Sequence, residues 1–292
     1  MIIKDIQART LLGYVKQPDP WFGLKYNLNL YRGCQHQCIY CDTRSECYRI
    51  ENFNQEILVK ANAIDLLRQE LSRKRIKGTI GFGSMNDPYM PLEADLQMTR
   101  RALEVVSDFK FPVHIITKSD LVTRDIDLLQ KINKTYCAVS ITVTTTDDSL
   151  AGVIEPGAPS PSRRLAAIRA LSEAGILCGI TLMPVLPFIE DNEPNIEAVV
   201  REAADHGAKY ILLSLGMSMR DRQREWYYHC LDQSFPGLRQ RYVNTYGENY
   251  HCPVPDACKL ESFFNRLCLE HRISRQMPMY TGQNQAEQPG LF

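Results

Sequence analysis

From residue 24 onward, short apolar runs alternate with longer segments in which apolar residues recur every three or four positions. Short apolar runs between turn residues are typical of buried strands, and the longer spacing is typical of amphipathic helices. The alternation repeats about six times and predicts an α/β chain of βα units. The predicted strands are residues 24–31, 79–83, 112–119, 136–145, 177–187 and 209–216. Periodicity leaves open whether these strands form an open doubly wound sheet or a barrel, but in both architectures chemistry gathers where the strands end.

The pattern changes at both ends of the chain. Residues 1–23 are expected to form a short covering segment, and residues 24–226 the core domain. Residues 227–281 lose the βα rhythm, although residues 259–271 carry apolar positions at helical spacing and predict a helix that caps the core. Residues 282–292 are polar and rich in Gln, Gly and Pro, which predicts a mobile tail.

Charge and apolar content exclude some functions. The 292 residues include 34 Lys and Arg against 34 Asp and Glu, so no net charge attracts the chain to nucleic acid or anionic lipid. No apolar run is long enough to cross a membrane, and the start lacks the order of a secretion signal. We therefore expect a cytoplasmic protein without a membrane partner. Its ten cysteines are then expected to be free thiols, metal ligands or redox groups.

Residues 219–228 interleave arginines with aromatic residues. Surfaces of this kind grip phosphates and stack bases, which makes a nucleic-acid substrate one hypothesis. Asp221 and Glu225 interrupt the positive charge. A solvated amphipathic helix is therefore the alternative interpretation.

Three cysteines, Cys34, Cys38 and Cys41, lie on a short loop directly after the first predicted strand. Thiolates are soft ligands that suit zinc or an iron-sulfur cluster. A 4Fe-4S cluster with three protein ligands leaves one iron open for a small molecule. The alternative is a zinc site completed by His36, in a protein that binds zinc or nucleic acid without being an enzyme.

The spacing CxxxCxxC, with Tyr40 just before the last cysteine, resembles the radical S-adenosylmethionine (SAM) superfamily. The resemblance implies a partial (β/α)6 barrel of the TIM type, with Cys34, Cys38 and Cys41 as ligands of a 4Fe-4S cluster and Tyr40 beside the adenine of SAM. It also implies that SAM is cleaved reductively to a 5′-deoxyadenosyl radical that abstracts hydrogen from a substrate. The electron would come from a donor such as flavodoxin or ferredoxin.

The end of the second predicted strand reads Gly81-Phe-Gly83-Ser-Met-Asn-Asp87. It is not the dinucleotide fingerprint, because Asn86 stands where the third glycine would be. In the resemblance, this strand end holds the amino group of SAM, which makes Gly83, Ser84 and Asp87 candidate contacts. An ordinary Asn-Asp-Pro turn is the alternative for Asp87.

Four further positions are candidate SAM contacts by resemblance. Ser140 resembles a family contact, and strand alternation predicts that it faces the barrel lumen. Arg164 is expected to pair with the SAM carboxylate, Glu155 with the ribose hydroxyls, and Lys118 ends the third strand on the same rim. The alternatives are an exposed helix arginine, a carboxylate that closes a loop and a surface lysine.

The run Asp87-Pro-Tyr-Met-Pro-Leu-Glu93 resembles the DPYQPxE segment of the spore photoproduct lyase-like branch, with Met90 in place of Gln. Residues 155–159, 164–165, 174–176 and 184–191 also resemble that branch, so the likeness spans about residues 31–216. It implies a lyase that repairs a thymine lesion in DNA. RNA, peptide or small-molecule substrates are the alternatives.

Two residues are weak candidates for catalysis, Tyr89 and Cys137. Alternation along the fourth strand turns Cys137 away from the lumen, so a small buried apolar side chain is the alternative interpretation. Among the later cysteines, Cys252 and Cys258 are the pair that would hold a second metal or cluster. Cys230 and Cys268 are predicted to be core residues.

Overall fold

The computed structural model describes residues 1–17, 19–50 and 52–282. Its strands, in chain order, are β1 (Ile2–Ile6), β2 (Leu12–Tyr14), β3 (Tyr26–Leu28), β4 (Tyr31–Arg32), β5 (Glu56–Lys60), β6 (Ile80–Phe82), β7 (Val113–Thr117), β8 (Cys137–Thr142), β9 (Leu177–Val185), β10 (Ile211–Ser218) and β11 (His251–Pro253). The helices are α1 (Ala63–Ser72), α2 (Glu93–Leu96), α3 (Met98–Asp108), α4 (Ile126–Asn133), α5 (Asp148–Ile154), α6 (Pro161–Glu173), α7 (Glu193–Asp205), α8 (Asp221–Ser234), α9 (Leu238–Tyr246) and α10 (Ala257–Glu270).

The main sheet has eight strands in the order β11-β10-β9-β8-β7-β6-β3-β2. Strands β3 and β6 to β10 are parallel and adjacent in chain order, while β2 and β11 pair antiparallel at the two edges. Helices follow the parallel strands and bury their apolar faces in the large core around the sheet. The predicted α/β fold, a partial (β/α)6 barrel, is therefore confirmed.

All six predicted strands are present, but residues 24–31 do not form a single strand. Strand β3 joins the main sheet, whereas β4 belongs to a second sheet with the order β1-β5-β4. The sequence pattern missed this small sheet because β1 is exposed along most of its length and therefore shows no apolar face.

Side chains fill the barrel at the amino-terminal ends of its strands. His114 on β7 shares hydrogen bonds with Ser140 on β8 (2.8 Å), and Ser140 in turn with the Tyr210 hydroxyl (2.7 Å). The Phe22 ring stacks on the His114 ring at a centroid distance of 4.6 Å. The lower lumen is thus a packed core, which leaves the carboxyl ends of the strands as the place for a site.

In the carboxyl-terminal part, α10 packs against α7 and buries Leu260, Phe264 and Leu267 in the main core. The division expected between residues 226 and 227 falls inside α8. The expected tail, residues 282–292, lies outside the described residues except for Gly282. Among the described residues, no helix combines the length and the apolar character needed to cross a membrane.

Candidate functional site

The cysteine loop, residues 33–41, follows β4 and borders a cavity of about 370 Å³ at the carboxyl ends of the barrel strands. Gly33 has φ +87°, and a Cβ there would meet the Glu56 carbonyl oxygen at 2.7 Å, so only glycine fits. Cys34 and Cys38 are buried, Cys41 is partly buried, and all three are free thiols that line the cavity. Three thiols on one cavity of ligand size fit a 4Fe-4S cluster in which one iron stays open for a small molecule.

Burial raises the pKa of the Cys34 thiol to about 12 and also raises the pKa of Cys38. The thiolate form is the one that binds metal, so binding of a cluster must release protons from this loop. These thiols are therefore inert by themselves and suit a ligand role better than a role as free nucleophiles.

Residues 154–158 clamp the cysteine loop through the backbone. The Ile39 N–H donates to the Ile154 carbonyl and the Gly157 N–H donates to the His36 carbonyl, both at 2.9 Å. A Cβ on Gly157 would lie 2.1 Å from the Gln35 carbonyl oxygen, so this close approach requires glycine.

The end of β6 forms another wall of the cavity. Gly83 has φ +97°, and a Cβ would clash with the Ile116 carbonyl oxygen at 2.2 Å. The Asp87 carboxylate accepts hydrogen bonds from Thr117 Oγ1 (2.6 Å), the Lys118 N–H (2.7 Å) and the Tyr89 N–H (2.8 Å). The bond from the Tyr89 N–H forms the turn expected at Asp87. The bonds from Thr117 and Lys118 connect this wall to the end of β7.

His36 Nδ1 lies 3.3 Å from Asp87 Oδ2. Burial alone would raise the pKa of Asp87, but His36, Thr117 and the Lys118 N–H outweigh burial and lower that pKa to about 2. Asp87 therefore presents a fixed negative charge in the cavity wall. Such a charge complements a ligand ammonium group.

A second buried carboxylate, Glu155, lies behind the loop. It accepts a hydrogen bond from the Tyr40 hydroxyl, and its Oε2 lies 2.5 Å from Arg164 Nη1. Lys118 Nζ is 3.8 Å from Glu155 Oε1. Burial would raise the pKa of Glu155, but Arg164 and Lys118 outweigh it and lower that pKa. For Lys118, burial is outweighed by Cys38 and Glu155, which raise its pKa, so the ammonium stays charged.

The structure brings eight of the predicted site residues to the cavity surface: Cys34, Cys38, Tyr40, Cys41, Gly83, Ser84, Asp87 and Lys118. Glu155 and Arg164 do not line it, and each is 1% exposed. They lie behind the wall, where Arg164 contacts Glu155, the Pro159 carbonyl (2.7 Å) and the Thr142 carbonyl (3.1 Å), and their contact with SAM stays a prediction.

Three more candidates lie away from the cavity. Ser140 faces the lumen as alternation predicted, but it lies below the cavity, where His114 and Tyr210 occupy its hydroxyl. Tyr89 donates to Asp125 Oδ2 (3.1 Å) and Cys137 is fully buried, both within the outer core. Neither of them lines the cavity, and Cys137 packs as a small core residue, the alternative interpretation given for it.

Sequence reasoning missed much of the remaining wall. The residues at the strand ends that complete it include Thr117, Thr142, Met183, Pro184, Ser214, Gly216, Met217 and Ser218. Their position at the carboxyl ends of β7 to β10 was the available signal. Their side chains carry no distinctive chemistry that marks them in a sequence.

The zinc alternative finds no support in the geometry. Within residues 1–17, 19–50 and 52–282, no group of three His, Cys, Asp or Glu side chains is arranged to hold a single metal ion. In a 4Fe-4S cube each thiolate binds a separate iron, so its ligands need not converge on one point. Among the later cysteines, Cys258 is exposed, whereas Cys230, Cys252 and Cys268 are buried in apolar clusters.

The arginines of residues 219–228 do not form one basic face. Arg224 donates to the Gly247 and Asn249 carbonyls (both 2.7 Å), and Arg222 pairs with Glu46 at 2.9 Å. Only Arg220 lies at the mouth of the cavity, where its Nε is 3.7 Å from Asp42.

Residues 28–196 match the family described as the Radical SAM superfamily. An uncharacterized protein of Methanocaldococcus jannaschii is 34% identical over 237 residues, which cover 80% of this chain and 84% of the relative. An uncharacterized protein of Mycobacterium tuberculosis is 29% identical over 236 residues, covering 78% of this chain and 69% of the relative.

Among solved structures, a spore photoproduct lyase complexed with dinucleoside spore photoproduct matches with a TM-score of 0.69. The match covers 92% of this chain and 79% of the lyase at 17% identity, so it shows a shared fold. Together with the cysteine loop, the family match over more than half of the chain leads to one conclusion. The chain belongs to the radical SAM superfamily and is an enzyme that uses a 4Fe-4S cluster and SAM, and requires a reductant.

Proposed function

We propose that this enzyme abstracts a hydrogen atom from a nucleotide of a nucleic-acid substrate held at the mouth of the barrel. Reductive cleavage of SAM at the cluster supplies the 5′-deoxyadenosyl radical that this reaction needs. A low-potential protein such as flavodoxin or ferredoxin provides the electron. Within this proposal, repair of a thymine lesion by a lyase reaction is the narrower hypothesis.

The residues of this chain bind and orient the cofactors. Cys34, Cys38 and Cys41 hold the cluster, and the Asp87 carboxylate attracts the SAM amino group at the wall that Gly83 keeps open. Tyr40 presents its ring to the adenine. Its hydroxyl is fixed by Glu155, so the ring cannot swing into the cavity.

The observation that carries the nucleic-acid proposal is the mouth platform, formed by Tyr48, Arg220 and Tyr250. The Arg220 guanidinium lies 5.9 Å from the Tyr48 ring centroid and 5.3 Å from the Tyr250 ring centroid. Its Nη2 donates to the Tyr250 hydroxyl at 3.0 Å. Arginine held between tyrosines beside a cavity offers a stacking surface for a base and a charge for a phosphate.

Two further points favour this substrate class. Arg220 is next to the cavity, because it pairs with Asp42 and follows Ser218 by two residues. Both Asp42 and Ser218 line the cavity. The fold neighbour described above was solved with a dinucleoside photoproduct. A nucleotide on the platform would therefore place its neighbour in the strand at the cavity.

The test uses the full chain, reconstituted anaerobically to about four irons, with SAM, dithionite and oligonucleotides carrying deuterium on the nucleobases. The oligonucleotides tested are irradiated DNA, unirradiated DNA and RNA. We expect one of them to transfer deuterium to the 5′-deoxyadenosine product, which identifies that nucleic acid as the substrate. Cys38→Ala should abolish SAM cleavage, because the cluster loses a ligand.

Arg220→Gln should weaken oligonucleotide binding roughly tenfold, as expected for one phosphate or stacking contact, while uncoupled SAM cleavage persists. Arg239→Gln is the matched control, because Arg239 pairs with Asp232 on the surface and does not line the cavity. Deuterium transfer from a labelled peptide or metabolite, with none from any nucleic acid, would overturn the proposal.

A further inference from the structure

Arg44, three residues after the last cysteine of the loop, is a buried cation that has no carboxylate partner among the described residues. It is 5% exposed. Its Nη1 donates to Asn54 Oδ1 (2.7 Å) and its Nη2 to Gln37 Oε1 (3.2 Å), both neutral amides. In the described part of the chain, no Asp or Glu lies within ion-pair distance of it, whereas Arg164, also buried, has Glu155 at 2.5 Å. A buried charge of this kind requires a counter-charge.

The guanidinium is fixed against the cysteine loop. It lies between the Phe53 ring at 4.4 Å and the Trp226 ring at 4.3 Å. Phe53 packs in one apolar cluster with Cys34, and Trp226 packs in another with Cys38. The Arg44 N–H also donates to the Cys41 carbonyl at 3.3 Å. Its position relative to the three thiols is therefore set by packing.

The groups whose negative charge would act on Arg44 are cysteine sulfurs, once they are deprotonated. Burial lowers the pKa of its guanidinium, and the charges of Cys41, Cys230, Cys38 and Cys34 oppose that effect. Three of these four sulfurs are the cluster ligands. Lys118 also faces Cys38, but Glu155 lies 3.8 Å from its ammonium and offsets its charge.

We propose that Arg44 is the buried counter-cation of the iron-sulfur cluster and favours its reduced state. Reduction adds one electron, taken from the external low-potential reductant, to a group beside a fixed positive charge. In a site with little water, that charge stabilises the added negative charge and raises the midpoint potential. The proposal concerns the cluster alone, so its failure leaves the nucleic-acid proposal unaffected.

The test is a redox titration of the reconstituted full chain, with the reduced cluster followed by electron paramagnetic resonance. For Arg44→Gln we expect the ratio of reduced to oxidised cluster at a given potential to fall roughly tenfold, which corresponds to about 59 mV for one electron. Arg222→Gln is the matched control, because Arg222 borders the same small cavity as Arg44 but is exposed and paired with Glu46. The midpoint potential of the cluster in this variant should match that of the wild type.

A second variant covers the case in which Arg44→Gln fails to hold the cluster. Asn54→Asp places a carboxylate on Arg44 Nη1, which supplies a counter-charge without disturbing the ring packing. It should lower the potential in the same direction, whereas Asn54→Ala and Arg44→Lys should stay near the wild-type value. Unchanged midpoint potentials in both Asn54→Asp and a fully loaded Arg44→Gln would overturn the assignment.

Discussion

Asp87 and Glu155 are two buried carboxylates that contact the cysteine loop, and their partners differ. Asp87 contacts the loop through His36, accepts hydrogen bonds from Thr117 and the Lys118 N–H, and lines the cavity. Glu155 contacts the loop through Tyr40, is neutralised by two cations and lies behind the cavity wall. A carboxylate that lines the cavity remains available to a ligand, whereas a carboxylate enclosed between two cations behind the wall serves the fold.

The largest expected effect comes from breaking the buried ion pair between Arg164 and Glu155. Arg164→Met leaves Glu155 with Tyr40 and the more distant Lys118, and should lower the free energy of unfolding by about 3–5 kcal/mol, measured by denaturant titration. Arg163→Met is the control: Arg163 is exposed and pairs with Asp120, so we expect less than about 1 kcal/mol.

The same comparison can be sharpened with a double variant. Glu155→Gln together with Arg164→Met removes both charges and should recover part of the lost stability. If Arg164→Met is no more destabilising than Arg163→Met, the ion pair between Glu155 and Arg164 does not stabilise the fold.

The next effect concerns the carboxylate that faces the cavity. Asp87→Asn keeps the shape but removes the charge, and we expect SAM to bind roughly tenfold more weakly because its ammonium group loses that charge. Equilibrium binding to the reconstituted protein measures this. The unfolding free energy should fall by only about 1–3 kcal/mol, since one acceptor for Thr117 or Lys118 is lost. A loss of stability without loss of affinity would place Asp87 with Glu155 as a purely structural group.

Sequence reasoning succeeded where the signal is local and failed where it depends on distant partners. The cysteine spacing, the glycine at Gly83 and the strand periodicity each lie within a few residues, so the fold and the grouping of three thiols at one cavity could be predicted. Glu155 and Arg164 were assigned to SAM because nothing in the sequence reveals that Tyr40, far away in the chain, takes the Glu155 carboxylate. The alternation of side chains along β8 gave the correct face for Ser140. It does not tell how far below the cavity the residue lies.

A third effect tests the packed end of the barrel against the open end. Burial lowers the pKa of His114 to about 3, so it is neutral in the folded state, whereas the unfolded chain takes up a proton near pH 6.5. The contribution of His114 to stability is therefore fully present above pH 6.5. It is lost as pH falls from there towards 3, by about 1.4 kcal/mol per pH unit. Between pH 7 and 5, denaturant titrations should show that the wild type loses about 2 kcal/mol more stability than His114→Asn does. His229→Asn, at an exposed histidine, should leave the loss in place.

The smallest effect separates two serines that the sequence placed in the same role. Ser84 lines the cavity, whereas the Ser140 hydroxyl is held by His114 and Tyr210 below it. Ser84→Ala should weaken SAM binding by up to about fivefold, the value of one hydrogen bond, and leave stability unchanged because its side chain is exposed. Ser140→Ala should leave SAM affinity unchanged and lower the unfolding free energy by about 1–2 kcal/mol, because two buried partners lose their hydrogen bond. If Ser140→Ala weakens SAM binding as much as Ser84→Ala does, SAM reaches deeper into the barrel than the cavity extends, and the division between an open and a packed end must be redrawn.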